Sequence, residues 1–195
     1  MKLFKFISSS GIISRRKAQE SIQLAMVTVN NVVVMDPFAD IDSLKDVIRL
    51  DDQKIILNSN TTTVVLYKPK GFISSRSDEM GRKTIFDLIP RKPFLNHVGR
   101  LDKDTTGLIL LTNDGDLSQF LTHPKNKIPK EYVAQTNEFI NDKIIKKIEK
   151  GIFIGSGEKG KAKIISQEKI KNTVHVNMIL RQGKKNEIRR IFKFS

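Results

Sequence analysis

The apolar run Leu108–Leu111 limits the possible folds of this 195-residue chain more than any other stretch. Four consecutive aliphatic residues, followed by the turn signal Asn113-Asp114-Gly115, predict a short strand that is buried on both faces. A helical turn over residues 116–121, stopped by Pro124, is predicted next. A strand buried on both faces lies inside a sheet, so the run predicts a domain with this strand at its centre.

An acidic residue, Asp102, lies on the loop that enters this strand, between Arg100 and Lys103. An acid beside basic residues is usually a solvated surface ion pair. Here, however, a central strand follows the loop and is expected to hold it rigidly. Asp102 is therefore a candidate site residue, although the pattern alone does not indicate catalysis.

The composition favours a partner that is a polyanion and excludes several kinds of site. Lys and Arg outnumber Asp and Glu by 35 to 21, and the net charge of +14 attracts nucleic acid, although a lysine-rich coding bias would explain part of it. Cysteine is absent and the three histidines (His97, His123 and His175) are scattered, so we predict no disulfide, no zinc site and no haem. The apolar runs are too short to span a bilayer, which predicts a soluble protein without a membrane partner.

The first 25 residues predict two helices. Ser14 is placed to cap the second helix, whose apolar positions extend at helical spacing to Ala25. The helix dipole disfavours cations in a first turn, so the basic residues found there predict a bound phosphate backbone. These residues are Arg15, Arg16 and Lys17. A basic organellar targeting peptide is the alternative interpretation of the same segment.

Strands and a linker follow these helices. Residues 26–34 predict a β-hairpin around Asn30-Asn31, and Val47–Leu50 predicts a later strand that closes at Asp51-Asp52. Residues 58–62 are polar, have no apolar period and predict a linker. We therefore predict two domains, residues 1–60 and residues 61–195.

Several features of the second domain have ordinary structural explanations. Val64–Tyr67 predicts a strand, and the cations that follow are either solvated or in contact with phosphate: Lys68, Lys70, Arg76 and Arg82. The helix predicted between Asn141 and Gly151 has isoleucines on its inner side and is structural. The segment 155–162 matches a glycine-rich phosphate loop, but a strand is predicted after it, which favours a hairpin loop.

Four ordered motifs resemble those of the S4-domain family of ribosomal RNA pseudouridine synthases. They are Lys68-Pro69-Lys70-Gly71, Gly99-Arg100-Leu101-Asp102 with its continuation to Gly115, Lys130-Glu131-Tyr132-Val133, and residues 183–192. Residues 81–87 and Asn113-Asp114-Gly115 resemble most the branch that modifies large-subunit ribosomal RNA. The resemblance implies the α+β class, with a small S4 RNA-binding domain of two helices and short strands, followed by a catalytic domain with a mixed or antiparallel sheet and flanking helices.

The resemblance also implies the chemistry and its residues. Asp102 would be the catalyst, Tyr132 would stack on the target uracil, and Arg189 would pair with the catalytic carboxylate. On its own, a tyrosine within a strand is more often a core residue. The target uridine would be flipped out of the RNA and isomerised to pseudouridine without a cofactor or a metal.

The RNA would be held by basic and capping residues of both domains. The predicted RNA-binding residues are Ser14, Arg15, Arg16, Lys17, Lys68, Lys70, Arg82, Arg100 and Lys103. The predicted partner is ribosomal RNA or a ribosomal assembly intermediate, bound by a monomer in a bacterial-type cytoplasm. An organelle is the alternative location.

The chain departs from the family pattern at several positions. Ala25-Met26 stands where the family has Gly-Arg, Asn31 replaces a glycine, and Asn186 replaces a basic residue or histidine. The chain ends at Ser195, whereas related enzymes continue into further strands. The alternative function is therefore an RNA-binding or ribosome-assembly factor whose catalytic domain is inactive.

Overall fold

The computed structural model describes residues 1–57, 60–90 and 94–195, which contain helices and mainly antiparallel strands. The helices are α1 (Leu3–Ser9), α2 (Arg15–Gln23), α3 (Gly115–Thr122), α4 (Asp142–Lys150) and α5 (Glu187–Phe194). The strands are β1 (Val27–Val29), β2 (Val32–Val33), β3 (Ile48–Leu50), β4 (Gln53–Lys54), β5 (Thr63–Lys68), β6 (Asn96–Val98), β7 (Gly107–Thr112), β8 (Lys130–Thr136), β9 (Ile152–Phe153), β10 (Lys159–Gly160), β11 (Lys163–Ile170) and β12 (Thr173–Leu180). The predicted α+β class is confirmed.

The chain divides into two compact units, Met1–Gln119 (unit 1) and Phe120–Ser195 (unit 2). Unit 1 contains two separate clusters of buried side chains, one from residues 3–55 and one from residues 85–111. Unit 2 contains one cluster, from residues 148–191. Within the predicted linker, Asn58 and Ser59 lie outside the described residues. No helix among the described residues has the length and apolarity needed to cross a membrane.

The N-terminal part of unit 1 combines α1 and α2 with a sheet of strand order β2-β1-β3-β4. Ser14 caps α2 as predicted, because its hydroxyl accepts a hydrogen bond from the Lys17 N–H at 3.2 Å. Asn30 and Asn31 both have positive φ, which a two-residue hairpin turn requires, so the predicted hairpin is confirmed. Asp51-Asp52 forms a second turn of this kind, which leads into the unpredicted strand β4.

Helix α2 ends earlier than its apolar spacing predicts. It stops at Gln23, and Ala25, which we expected on the helix, has φ +59°. This left-handed conformation costs an L-residue about 1–2 kcal/mol, because Cβ approaches the following carbonyl oxygen. The position is the one at which the family pattern described above has glycine.

Ala25→Gly is therefore expected to stabilise unit 1, by about 0.5–1 kcal/mol. Glycine removes the steric cost of the left-handed backbone but loses more chain entropy on folding, so the gain is partial. Chemical denaturation of both proteins measures the difference. Ala39→Gly is the control, since Ala39 does not have a left-handed φ, and it should lower the stability. An Ala25→Gly protein no more stable than the wild type would contradict the prediction.

The C-terminal part of unit 1 is built on a sheet of order β5-β7-β6, and the predicted central strand is β7. The predicted burial on both faces is wrong: Ile109 and Leu111 are buried, but Leu108 is 65% exposed. Side chains alternate along a strand, and one face packs on the cluster that contains Ile85 and Leu95. Helix α3 follows the strand as predicted.

Unit 2 is built on the antiparallel sheet β11-β12-β8. Ile148 of α4 and Ile191 of α5 are fully buried in its core with alternate residues of β12. Asn141 caps α4 by accepting an N–H hydrogen bond at 3.0 Å, and Gly151 follows the helix with φ +112°, as predicted. The glycine-rich segment forms the predicted hairpin, between β9 and β10.

Candidate active site

Asp102 lies in unit 1, on the loop between β6 and β7. The residue is half-buried, and the loop begins at Gly99, whose φ of +76° favours glycine. The Asp102 carbonyl accepts a hydrogen bond from the Thr105 N–H at 3.0 Å. The candidate catalytic residue therefore stands on a closed turn just before the central strand.

Ser74 fixes the peptide that leads into Asp102. Its hydroxyl donates to the Leu101 carbonyl at 3.0 Å and accepts from the Leu101 N–H at 3.1 Å. Ser74 is buried, so these hydrogen bonds are shielded from competing water. One side chain thus engages both backbone polar groups of the residue before the carboxylate.

Lys68 fixes the second half of the same loop. It is fully buried, and its ammonium donates to the carbonyls of Thr105 at 2.7 Å, Pro69 at 3.1 Å and Lys103 at 3.2 Å. The Lys103 carbonyl also accepts from the Gly71 N–H at 2.9 Å. An ammonium has three N–H donors, and all three have carbonyl partners here. The Lys-Pro-Lys-Gly motif therefore holds the backbone of the loop that carries Asp102.

This geometry corrects the prediction that Lys68 contacts RNA phosphate. The strand places it on the same face as the inward-facing Val64 and Leu66, so its ammonium does not reach the surface. Burial lowers the pKa of Lys68, because desolvation disfavours the charged amine, while Asp102 and Asp104 act in the opposite direction. Lys68 is therefore a positioning residue with a buried charge.

His97 supports the beginning of the loop. Its ring is half-buried, and Nδ1 lies 2.8 Å from the Gly99 carbonyl oxygen. Burial lowers the pKa of His97; the Gly99 hydrogen bond raises it, and the charges of Arg100 and Arg76 lower it further. A carbonyl only accepts hydrogen bonds, so the neutral ring donates through Nδ1–H and fixes the glycine turn.

Four predicted RNA-binding cations are exposed in this part of unit 1: Lys70, Arg82, Arg100 and Lys103. Arg82 differs from the other three because its guanidinium binds Asp78, with Nη2 2.5 Å from Oδ1 and Nε 3.1 Å from both carboxylate oxygens. The hydrogen bond from Arg82 lowers the pKa of Asp78 to about 2. The Arg82 guanidinium can therefore bind a phosphate only if it releases the Asp78 carboxylate.

The cations of α2 lie at its first turn, as the sequence predicts. Arg15, Arg16 and Lys17 are all exposed. Lys17 forms an ion pair with Glu20 at 3.3 Å, and the Ser14 hydroxyl is engaged as the helix cap. Arg15 and Arg16 are consequently the stronger candidates for contact with an RNA backbone.

Tyr132 and Arg189 lie in unit 2, whereas Asp102 lies in unit 1. Tyr132 is half-buried on β8 and packs against the core of unit 2, with Ala134 on the same side of the strand. Arg189 is exposed on α5. Unit 2 therefore holds both of the predicted catalytic residues that follow Asp102 in the chain.

Similar proteins share one activity. A model of the family described as RNA pseudouridylate synthase matches residues 62–194. The ribosomal large subunit pseudouridine synthase B of Bacillus subtilis is 36% identical over 195 residues, an alignment that covers 98% of this chain and 79% of that protein. The chain belongs to the RNA pseudouridine synthase family.

Other relatives and a solved structure agree with this assignment. An uncharacterized RNA pseudouridine synthase of Mycobacterium tuberculosis is 35% identical over 195 residues, covering 98% of this chain and 77% of that protein. A crystal structure of a pseudouridylate synthase matches with a TM-score of 0.65 and 27% identity, over 99% of this chain and 82% of that one. The predicted enzyme class, an RNA pseudouridine synthase, is confirmed.

In this pseudouridine synthase, Glu187 holds the start of α5, a role that the sequence alone did not identify. Glu187 is 4% exposed and accepts hydrogen bonds from the N–H groups of Lys184 at 3.0 Å and Lys161 at 3.3 Å. The amide of Gln182 also donates to it. An acid in the first turn of a helix is the sequence signal that would have suggested this role.

Arg190, next to Arg189 in this pseudouridine synthase, anchors α5 to the glycine-rich hairpin. It donates to the carbonyls of Ile154 at 2.7 Å and Gly155 at 2.8 Å, and it forms an ion pair with Glu158 at 2.6 Å. The segment that resembles a phosphate loop therefore binds a guanidinium of its own chain. This anchor fixes the helix on which Arg189 stands.

Gly160→Ala is expected to destabilise unit 2 by about 1–3 kcal/mol, because it overpacks the core. A Cβ at position 160 would lie 2.7 Å from Ile191 Cγ1 and 2.9 Å from Ile154 Cγ2, and both side chains are buried. Relief of this clash moves α5, which carries Arg189. Thermal unfolding measures the effect. Gly183→Ala is the control, since no atom lies within 4 Å of its added Cβ. Equal melting temperatures for the two variants would contradict this packing.

Proposed function

We propose that this enzyme isomerises a uridine of large-subunit ribosomal RNA to pseudouridine, with Asp102 as the catalyst. The observation that carries the proposal is the fixed loop of Asp102, which Ser74 holds on one side and Lys68 on the other. The Bacillus subtilis relative is named for the large ribosomal subunit. Residues 81–87, which resemble that branch, support the same substrate.

The reaction conserves its atoms and electrons. The bond between N1 and C1′ breaks, the uracil turns, a bond forms between C5 and C1′, the hydrogen on C5 leaves as a proton, and N1 takes up a proton. An ionised carboxylate is suited to this chemistry, whether it attacks C1′ or removes a ribose proton. We assign this task to Asp102, stacking on the uracil to Tyr132, and to Arg189 the pairing role that the resemblance implies for the motif of residues 183–192.

We propose that residues 1–60 form an S4-like RNA-binding domain and that residues 61–195 form the catalytic domain. The first domain is supported by its own core, drawn from residues 3–55, and by the exposed Arg15 and Arg16. Backbone phosphates bind first, and the target nucleotide is then flipped at a cost of a few kcal/mol. We further propose that the enzyme acts in a cytoplasm of bacterial type as a monomer.

The proposal is tested with large-subunit ribosomal RNA transcribed with uridine that carries tritium at C5. Isomerisation expels this hydrogen, so we expect enzyme-dependent release of tritium into water. A small-subunit transcript is the control and should release none. Tight binding of the large-subunit transcript without release would contradict the proposal and favour the alternative, an inactive RNA-binding or ribosome-assembly factor.

A further inference from the structure

The positive charge of this enzyme is concentrated in unit 2. Residues 120–195 contain 18 Lys and Arg and 7 Asp and Glu, a net charge of +11, whereas residues 1–119 contain 17 and 14, a net charge of +3. All of the RNA-binding cations discussed above lie in unit 1. A net positive charge of this size attracts polyanions, so we expect unit 2 to have a surface that binds them.

Helix α4 carries the densest group of these cations on one face. Its four exposed lysines, here called the lysine stripe, are Lys143, Lys146, Lys147 and Lys150. Their spacing of three, four and seven residues places them on one side of the helix, over about 10 Å at a rise of about 1.5 Å per residue. Ile144 and Ile148, on the opposite side, pack in the core of unit 2.

The lysine stripe has no acidic partners within the described ranges. No carboxylate there lies within 4.0 Å of any of its four ammonium groups. Asp142, one turn before Lys146, is exposed and unpaired with it, and Glu149 instead accepts a hydrogen bond from the Ile164 N–H at 3.3 Å. The charges of the stripe therefore face solvent and one another.

Helix stability alone does not explain this arrangement. Like charges three or four residues apart destabilise a helix, and all four lysines have such a neighbour. The helix dipole favours Lys147 and Lys150 in the last turn, but it disfavours Lys143 in the first. A polyanion that binds along the stripe would remove the repulsion among all four ammonium groups.

We propose that the lysine stripe of α4 binds the phosphate backbone of the substrate RNA, outside the catalytic site. This inference rests on the proposed RNA substrate. A membrane surface is a poorer partner, because interfacial helices insert their apolar side and that of α4 is in the core. The stripe supplies only point charges, so it holds RNA by its backbone and carries no sequence preference.

The test compares two variants of the full chain that lose the same charge. In the stripe variant, Lys143, Lys146, Lys147 and Lys150 are replaced by Gln, which keeps a good helix propensity. In the control variant, four exposed lysines spread over unit 2 are replaced by Gln: Lys125, Lys169, Lys171 and Lys193. Binding of a labelled large-subunit ribosomal RNA transcript is measured over a series of salt concentrations, together with the melting temperature.

We expect the stripe variant to bind at least about tenfold more weakly near 0.15 M salt. The magnitude of the slope of log K against log salt should fall by about 2.8–3.6 units, at 0.7–0.9 for each of the four lost phosphate contacts. The control variant should lose less than about one unit. Equal losses in the two variants would overturn the proposal, and so would a melting temperature lowered only in the stripe variant. Tritium release by the wild type tests the proposed reaction separately, so the two failures are distinguishable.

Discussion

Asp102→Asn is expected to lower the rate of pseudouridine formation by at least about 10³-fold. The amide has nearly the shape of the carboxylate, but it can neither attack C1′ nor accept a proton from the ribose. The loop is held through the backbone of Leu101, Lys103 and Thr105, so the change should leave the fold and the RNA affinity nearly intact.

Single-turnover release of tritium with enzyme in excess isolates the chemical step from binding. Asp104→Asn is the matched control, because Asp104 is an exposed acid on the same loop. The assignment of the catalyst fails if Asp102→Asn retains a rate close to that of the wild type. It fails equally if the two variants lose the same activity, since the loss would then reflect the charge of the loop.

Lys68→Met is expected to lower the free energy of unfolding by about 2 kcal/mol. Methionine keeps the apolar stem but leaves three carbonyl oxygens without their hydrogen-bond donor. The free energy lost with these hydrogen bonds exceeds the free energy gained when a charged amine no longer has to be buried. For a chain of this size the melting temperature should fall by roughly 4–8 °C. The released loop should also misplace Asp102, and a displacement of about 1 Å slows a reaction about 10²-fold.

Lys70→Met provides the control for stability, because it removes the same group from an exposed residue of the same motif. Its free energy of unfolding should stay within about 0.5 kcal/mol of the wild type. Denaturant unfolding and single-turnover rates are measured for both variants. If Lys68→Met is as stable and as fast as the wild type, Lys68 is not the residue that holds the catalytic loop.

Local signals in the sequence predict much of the fold correctly. The Ser14 cap, the turn at Asn30-Asn31 and the helix between Asn141 and Gly151 depend on residues close in the chain. Backbone geometry and local hydrogen bonding decide such features, so a few residue types suffice to specify them. The helical spacing of apolar residues gave a wrong prediction at Ala25, where the backbone turns from α2 toward β1 with a positive φ.

The family is also determined by the sequence, because its motifs are long and ordered. The matched region of the family spans residues 62–194. The pseudouridine synthase activity follows from this membership. The individual roles of Asp102, Tyr132 and Arg189 remain predictions, and the Asp102→Asn variant tests the first of them.

Only the tertiary structure decided which side chains are covered. Lys68 alternates with Val64 and Leu66, so its inward direction could be predicted, but two of its three carbonyl partners come from a loop more than thirty residues away. Leu108 looked buried, although its side of the sheet is exposed. Periodicity fixes which residues share a face, whereas the cover of that face depends on contacts between distant segments. The sequence therefore determined the local elements and the family, and long-range packing decided how the loop that carries Asp102 is held.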